Sequence, residues 1–466
     1  MKKLTFALFF GNRTFFPESL IAGARRELKK AVTDAGHKAL MMPVSATRFG
    51  AVESTAEGKK YAQFLAEHRG KYDGVILCLP NFGDETGAVA AVADAGTPIL
   101  IQAYPDELDK LDMSTRRDAF CGKFSVMDVF CQYGVPFTTF PPHTVHPASD
   151  TFARHLDQFA AVCRVVNGMR RMTVGAIGAR TTAFKTVRFD EITLQRYGIT
   201  TETLDLSEVM MRVRDLKKTD AKVRAKARFL KGYTSWKGVP DRAFENLTKL
   251  GVVLDELIGE YEMDALALRC WIEMEKELGI TPCVLLAALN ERGVPAACEL
   301  DVCNAVPMFA LAQASGRPTT CLDWNNNYGE EHDKCILFHC GPVPQSLMRA
   351  KGWIADHPMI AKAVGPGCSY GCNQGRIIST PMTFCSSKTQ DGKLVFYLGE
   401  GEFTDDPIPE EFFGCAGVAR IEGLQDKLRV VGHRGYRHHV AVGAGRTAAP
   451  VREAFTRYLG YEMTEW

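Results

Sequence analysis

Three places in the sequence combine polar residues of ligand type with the end of an apolar run. Glu299 follows PAAC in VPAACELD, and Asp323 follows TTCL in TTCLDWNNN. The pair His438–His439 stands in GYRHHVAVGAG, ahead of a glycine-rich stretch. A carboxylate just beyond a strand-like run sits where open α/β sheets bind ligands. Taken singly, each has a plainer reading: a helix N-cap, a salt-bridge partner, a surface histidine or a basic loop. Together they describe a mixed carboxylate–imidazole set. Oxygen and nitrogen donors of this kind suit Mn²⁺, Mg²⁺ or Co²⁺ rather than a thiolate-loving ion. Two acids and one imidazole leave coordination positions open for substrate oxygens. Moving a hydrogen between C1 and C2 of a sugar needs such a centre: a cation to polarise the carbonyl and the adjacent hydroxyl, and carboxylates to carry the proton.

The elements that must position these residues can be read from the apolar pattern. Over the first 150 residues, LTFALFF, ALMMPV, GVILCLP, PILIQAY and PFTTF read as strands buried on both faces. The stretches between them, such as PESLIAGARRELKKAVTDAG, carry apolar residues at helical spacing. That alternation is the pattern of a parallel, doubly wound α/β sheet. A helix over about 151–168 leads into a second unit. There RMTVGAIGAR reads as strand and turn, FKTVRFDEITLQRYG as a helix, and ALALRC, PAACELD, TTCLDW and KCILFHC as strands. The turn holds only Gly175 and Gly178, without the spacing of a dinucleotide-binding loop, so a nicotinamide enzyme is disfavoured. Beyond about residue 345 the texture becomes short strands, with QDG as a hairpin turn and a closing helix near VREAFTRYLG. The expected layout is an N-terminal Rossmann-like domain (1–168), a second one carrying both acids (169–344), and a smaller, mainly β domain carrying the histidine (345–466).

Composition bounds the rest. The chain has 466 residues, 46% hydrophobic and 24% charged, with 56 Lys and Arg against 55 Asp and Glu. That balance gives no reason to expect nucleic acid or an anionic membrane as partner. The opening MKKLTFALFFG is too short and lacks a small-residue cleavage site, so it reads as a first strand rather than an export signal. No run reaches the ~18 apolar residues of a membrane span. The 15 cysteines lie mostly inside apolar runs, and their odd number argues against a disulfide framework, so a cytoplasmic location is expected. Cys368 and Cys372 form an isolated CxxxC that reads as packing rather than a zinc site.

At these residues the chain resembles the L-fucose/L-arabinose isomerase family. The resemblance rests on ACELD, CLDWN, ILFHCG, a GEGEF segment and the HH motif, on top of two α/β domains. It implies an aldose–ketose isomerase acting on a free, fucose- or arabinose-like sugar through a cis-enediol. It implies Mn²⁺ held by Glu299, Asp323 and His439, with the two acids also serving as the acid/base pair, in a homo-oligomer, commonly a trimer or hexamer. The arabinose branch has a further His ligand on the strand after the second acid, and His339 falls at about that place. His339 is thus either a ligand or substrate contact, or a buried histidine bonded to backbone. His438 is expected to turn away from the cation, because strand neighbours alternate in face, and to contact substrate instead. His433, His143 and His146 read as structural or surface groups. A sugar-binding or regulatory homologue without catalysis is the alternative function.

Overall fold

The computed structural model describes residues 3–466, which divide into two compact units. The first comprises residues up to Asn167 together with Glu453–Gly460. Its four strands are Thr5–Phe10, Lys38–Met41, Gly74–Leu79 and Ile99–Ala103, all parallel, in the order second–first–third–fourth. Side chains alternate across the sheet, so Ala7 and Phe9 join one apolar cluster while Phe6, Leu8 and Phe10 join another. Each cluster is closed by helices, among them Ser19–Asp34 and Asp150–Met169 on one face and Thr55–Glu67 and Ala119–Gln132 on the other. A Cβ on Gly58 would lie 2.3 Å from the Gly87 carbonyl, so glycine there lets helices Thr55–Glu67 and Glu85–Val92 approach closely. PFTTF does not form the expected fifth strand. Only Thr138 bridges to Leu100, and Pro136 and Pro141 on either side offer no N–H to extend the ladder.

The second unit comprises Gly168–Arg452 and Tyr461–Trp466. It opens with another parallel sheet, in the order Ile199–Leu204, Met172–Ile177, Ala265–Leu268, Ala296–Cys298. The helix expected across FKTVRFDEITLQRYG is shorter. Asp190 accepts from the backbone N–H groups of Ile192 (3.0 Å) and Thr193 (3.3 Å), and so starts a helix only at Glu191–Arg196.

The same unit contains a nine-stranded mixed sheet that runs, edge to edge, through Trp353–Asp356, Tyr370–Arg376, Cys415–Arg420, Glu331–His339, Thr319–Tyr328, His439–Ala444, Thr380–Gln390, Lys393–Phe403 and Glu462–Met463. Strand Cys415–Arg420 also pairs with Lys393–Phe403, which curls six of these strands into a ring. The mixed sheet begins at Thr319, so the strand bearing Asp323 belongs to it rather than to the parallel sheet bearing Glu299. Asp323 lies inside its strand, not beyond the end. The polar WNNNY stays extended because it pairs with Glu331–His339 while part of it faces solvent. The QDG turn joins two eleven-residue strands, with Asp391 (φ +53°) and Gly392 (φ +71°) both left-handed as a tight hairpin requires. Among the described residues, no helix is long and apolar enough to cross a membrane.

Candidate active site

Glu299 is set by the turn that ends the parallel strand Ala296–Cys298. Glu299 (φ +61°) and Leu300 (φ +64°) both take left-handed backbone, a conformation costing roughly 1–2 kcal/mol per non-glycine residue. Immediately afterwards Asp301 begins the helix Val302–Ser315, its carboxylate accepting from the Asn304 N–H at 3.1 Å. Asp323 and His439 arrive on neighbouring antiparallel strands, directly opposite one another. A strand end, a turn and a cross-strand pair thus bring together residues 299, 323 and 439.

The distances describe one shared centre. His439 Nε2 lies 3.0 Å from Glu299 Oε2 and 3.4 Å from Asp323 Oδ1. Its other ring nitrogen, Nδ1, is 2.8 Å from Asp301 Oδ2. Asp301 also accepts from the buried Arg437 guanidinium. The indole N–H of Trp271 donates to Glu299 Oε1 at 3.1 Å and leaves Oε2 toward the histidine. Phe184 packs its ring edge against Trp271 and lies beside His438 and His439.

Electrostatics follow from this crowding. Burial pulls His439 down, but hydrogen bonding to Asp301 and Glu299 and the charge of Asp323 outweigh it and raise the imidazole to about 10. Burial pushes Glu299 up, yet His439, His339 and the Trp271 bond hold it at about 2. Burial likewise opposes, and Arg437 and His439 overcome, so Asp301 titrates below its usual range. Around a neutral His439, the three carboxylates against the single Arg437 leave two uncompensated negative charges.

His339 ends the strand Glu331–His339, buried, its ring 5.6 Å from that of His439. The Cys340 N–H donates to His339 Nδ1 at 2.9 Å, so in the neutral ring Nε2 carries the proton. His438 is half-exposed, with Nε2 3.8 Å from Asp323 Oδ1. It therefore sits at the same centre as His439 and is not turned away. The alternation argument fails because the strand starts at His439, leaving residue 438 outside it. His433 is exposed at the end of a helix, His143 stacks on Phe124, and His146 lies 3.4 Å from Glu27. The sequence reading missed Asp301, Arg437 and Trp271. Only the ELD spacing hinted at the first.

Two family models match the chain: the N-terminal domain of fucose/sulfoquinovose isomerase over residues 7–170, and the C-terminal domain of L-fucose isomerase over residues 337–466. The chain belongs to the fucose/sulfoquinovose isomerase family. Its curated relatives include a sulfoquinovose isomerase of Priestia megaterium, 25% identical over 82% of this chain and 83% of that protein. Another, from Clostridium sp., is 25% identical over 61% of this chain and 62% of its own length, so the match spans under two thirds of that relative. A third, from Alkalicoccus urumqiensis, is 23% identical over 84% of this chain and 85% of its own. Family membership makes the chain a sugar isomerase of the aldose–ketose class, with a small sugar as substrate. His339, His438 and His439 fall within the C-terminal match, whereas Glu299 and Asp323 lie between the two matched stretches.

Proposed function

We propose that this chain is a divalent-metal-dependent isomerase of neutral, fucose- or arabinose-like aldoses, working through a cis-enediol. One observation carries the reading: Asp323 Oδ1 and His439 Nε2 are buried at a common point, 3.4 Å apart, and no group outside this carboxylate–imidazole set hydrogen-bonds to either atom. Glu299 Oε2, 3.0 Å from that nitrogen, completes a set with two excess negative charges. Such a set fits a dication of the Mn²⁺, Mg²⁺ or Co²⁺ type, and the family resemblance favours Mn²⁺ among them. Glu299, Asp323 and His439 would hold the ion, and its contribution when bound would be Lewis-acid polarisation of the sugar carbonyl and hydroxyl.

The chain's own groups do the rest. Asp301 accepts from His439 Nδ1 and keeps Nε2 as the free donor atom. Trp271 fixes the Glu299 carboxylate. One of the two site acids, Glu299 or Asp323, takes the C2 proton as a carboxylate and the pair returns a proton at C1. His339 Nε2–H is unpartnered and buried, and so suits donation to a sugar oxygen rather than ligation. His438, half-exposed beside Asp323, suits contact with a sugar hydroxyl.

The cavity that Glu299 lines, about 330 Å³ in volume, bears on substrate charge. Its polar side chains include Glu275, Thr281 and His357, and its lining contains neither Lys nor Arg. Burial raises Glu275 to about 8, leaving it uncharged at neutral pH. A sulfonated sugar would meet the Glu299 carboxylate with no cation from this lining, whereas a neutral sugar meets groups that hydrogen-bond hydroxyls. The 15 free cysteines support a reducing, cytoplasmic setting. Exposed Leu108, Leu111, Met113, Phe120 and Phe124 offer apolar surface that supports a homo-oligomer, a trimer or hexamer by resemblance.

The deciding experiment is a ketose-formation screen over neutral aldoses and sulfoquinovose, with Mn²⁺ supplied or with EDTA. Mn²⁺-dependent turnover of a neutral aldose is expected. Full activity in EDTA would remove the metal, and turnover of sulfoquinovose alone would remove the neutral substrate.

A further inference from the structure

Sulfur gathers behind the site. Cys270 follows the parallel strand Ala265–Leu268, Cys298 ends Ala296–Cys298, Cys340 follows Glu331–His339, and Cys283 opens the helix Cys283–Glu291. All four are buried and free. The Sγ atoms of Cys283, Cys298 and Cys340 lie within 4.8 Å of one another. Cys283 and Cys340 are 3.3 Å apart, and Cys298 and Cys270 are 3.3 Å apart. No two of the four are closer than 13 positions in sequence.

Packing alone does not require this. A buried thiol is a small hydrophobe and is indifferent to its neighbour's identity. Three thiols from three elements meeting at one point form a donor set, and Cys270 touches Cys298 beside them. Sulfurs about 2.3 Å from a tetrahedral centre stand about 3.8 Å from each other, and the Cys283, Cys298 and Cys340 sulfurs, all within 4.8 Å of one another, are compatible with three corners of that geometry. Cys283 lies at the N-terminal end of its helix, where the backbone dipole favours negative charge on sulfur. Hydrogen bonds from Cys298 and Cys340 bring its thiol well below the usual range, while hydrogen bonding within the cluster and burial push the Cys298 and Cys340 thiols well above it. Cys270, Cys283 and Cys340 also line the cavity of about 330 Å³, which provides an entry path.

We propose that Cys283, Cys298 and Cys340 form a second, sulfur-only metal site for a single thiophilic d¹⁰ cation of the Zn²⁺ type, with Cys270, in contact with Cys298, closing in as the fourth ligand when the ion binds. Each ligating thiol gives its proton to solvent as the ion binds, and no electron is transferred. The site is separate from the carboxylate–imidazole centre, because hard, oxygen-preferring ions do not compete for thiolates. It ties the end of the strand that precedes Glu299 to the residue that follows His339. The bound ion would therefore stiffen the wall carrying the isomerase groups.

The test uses the full chain, reduced, stripped of metal and titrated with Cd²⁺. One equivalent should produce sulfur-to-metal charge-transfer absorption in the ultraviolet and protect these four cysteines from alkylation in a peptide map. Cys283→Ser and Cys340→Ser should each remove most of the absorption. Cys385→Ser, a buried cysteine on the strand Thr380–Gln390, and Glu299→Gln should both retain it. Absence of charge transfer in the reduced wild type would overturn the proposal. So would equal absorption in all variants, or a peptide map showing a Cys283–Cys340 disulfide and no Cd²⁺ protection after reduction. The wild-type titration and map stand even if a serine variant fails to fold.

Discussion

His439 Nδ1 meets Asp301 Oδ2 at 2.8 Å with both side chains fully buried, and this bond decides which nitrogen the imidazole presents to Glu299 and Asp323. An ionised carboxylate can only accept, so Nδ1 carries a proton, and in the neutral ring that a metal would require Nε2 offers its lone pair. Asp301 is itself anchored by Arg437 and by the start of helix Val302–Ser315. Asp301→Asn should therefore weaken Mn²⁺ binding by about 10–100-fold, the range for loss of such a supporting carboxylate. Calorimetric titration checks it, and unchanged affinity would show that His439 is not held in this way.

The three histidines should separate. His439→Ala should lower Mn²⁺ affinity more than His438→Ala, since the first is buried at 3.0 Å from Glu299 and the second half-exposed at 3.8 Å from Asp323. His339→Ala should leave Mn²⁺ affinity unchanged while lowering kcat/KM, because its Nε2 carries a proton. Loss of metal binding in His339→Ala would make that residue a ligand.

Glu299→Gln and Asp323→Asn should each lower kcat by about 10²-fold or more, the contribution of a positioned acid or base. Steady-state kinetics at saturating Mn²⁺ separates this from weakened metal binding. Near-normal kcat in either variant would take that residue out of proton transfer.

An enediol route passes the C2 proton through a carboxylate that exchanges with water. Turnover in D₂O should place deuterium on C1 or C2 of the product, read by NMR. Product free of deuterium after many turnovers would favour a hydride shift and leave the two acids as ligands alone.

In metal-free protein, His439 is raised from 6.5 to about 10 by its carboxylate neighbours. A folded-state value above the unfolded one adds stability that is complete below about pH 6.5 and disappears as pH rises to about 10. With EDTA present, Tm should fall across that window by more in the wild type than in His439→Gln. Equal slopes would show that the imidazole is not protonated between these carboxylates.

Much of this was legible in the residues themselves. Buried apolar runs such as GVILCLP, short and rich in branched side chains, read as strands covered on both faces, and the helical spacing between them favours a parallel sheet. The acid after PAAC, the acid in CLDWN and the HH pair announced oxygen and nitrogen ligands, because carboxylates and imidazoles are too costly to bury without a partner. Tertiary structure decided what those residues meet. Asp323 and His439 are 116 positions apart, and only the antiparallel register sets them opposite each other. His438 joins them because the strand begins one residue later than the alternation assumed. Asp301 and Arg437 look like a helix cap and a basic loop until the fold buries them against one imidazole. The four converging cysteines show no ligand spacing, because spacing reports neighbours along one element, whereas these sulfurs meet across the ends of three strands and a helix.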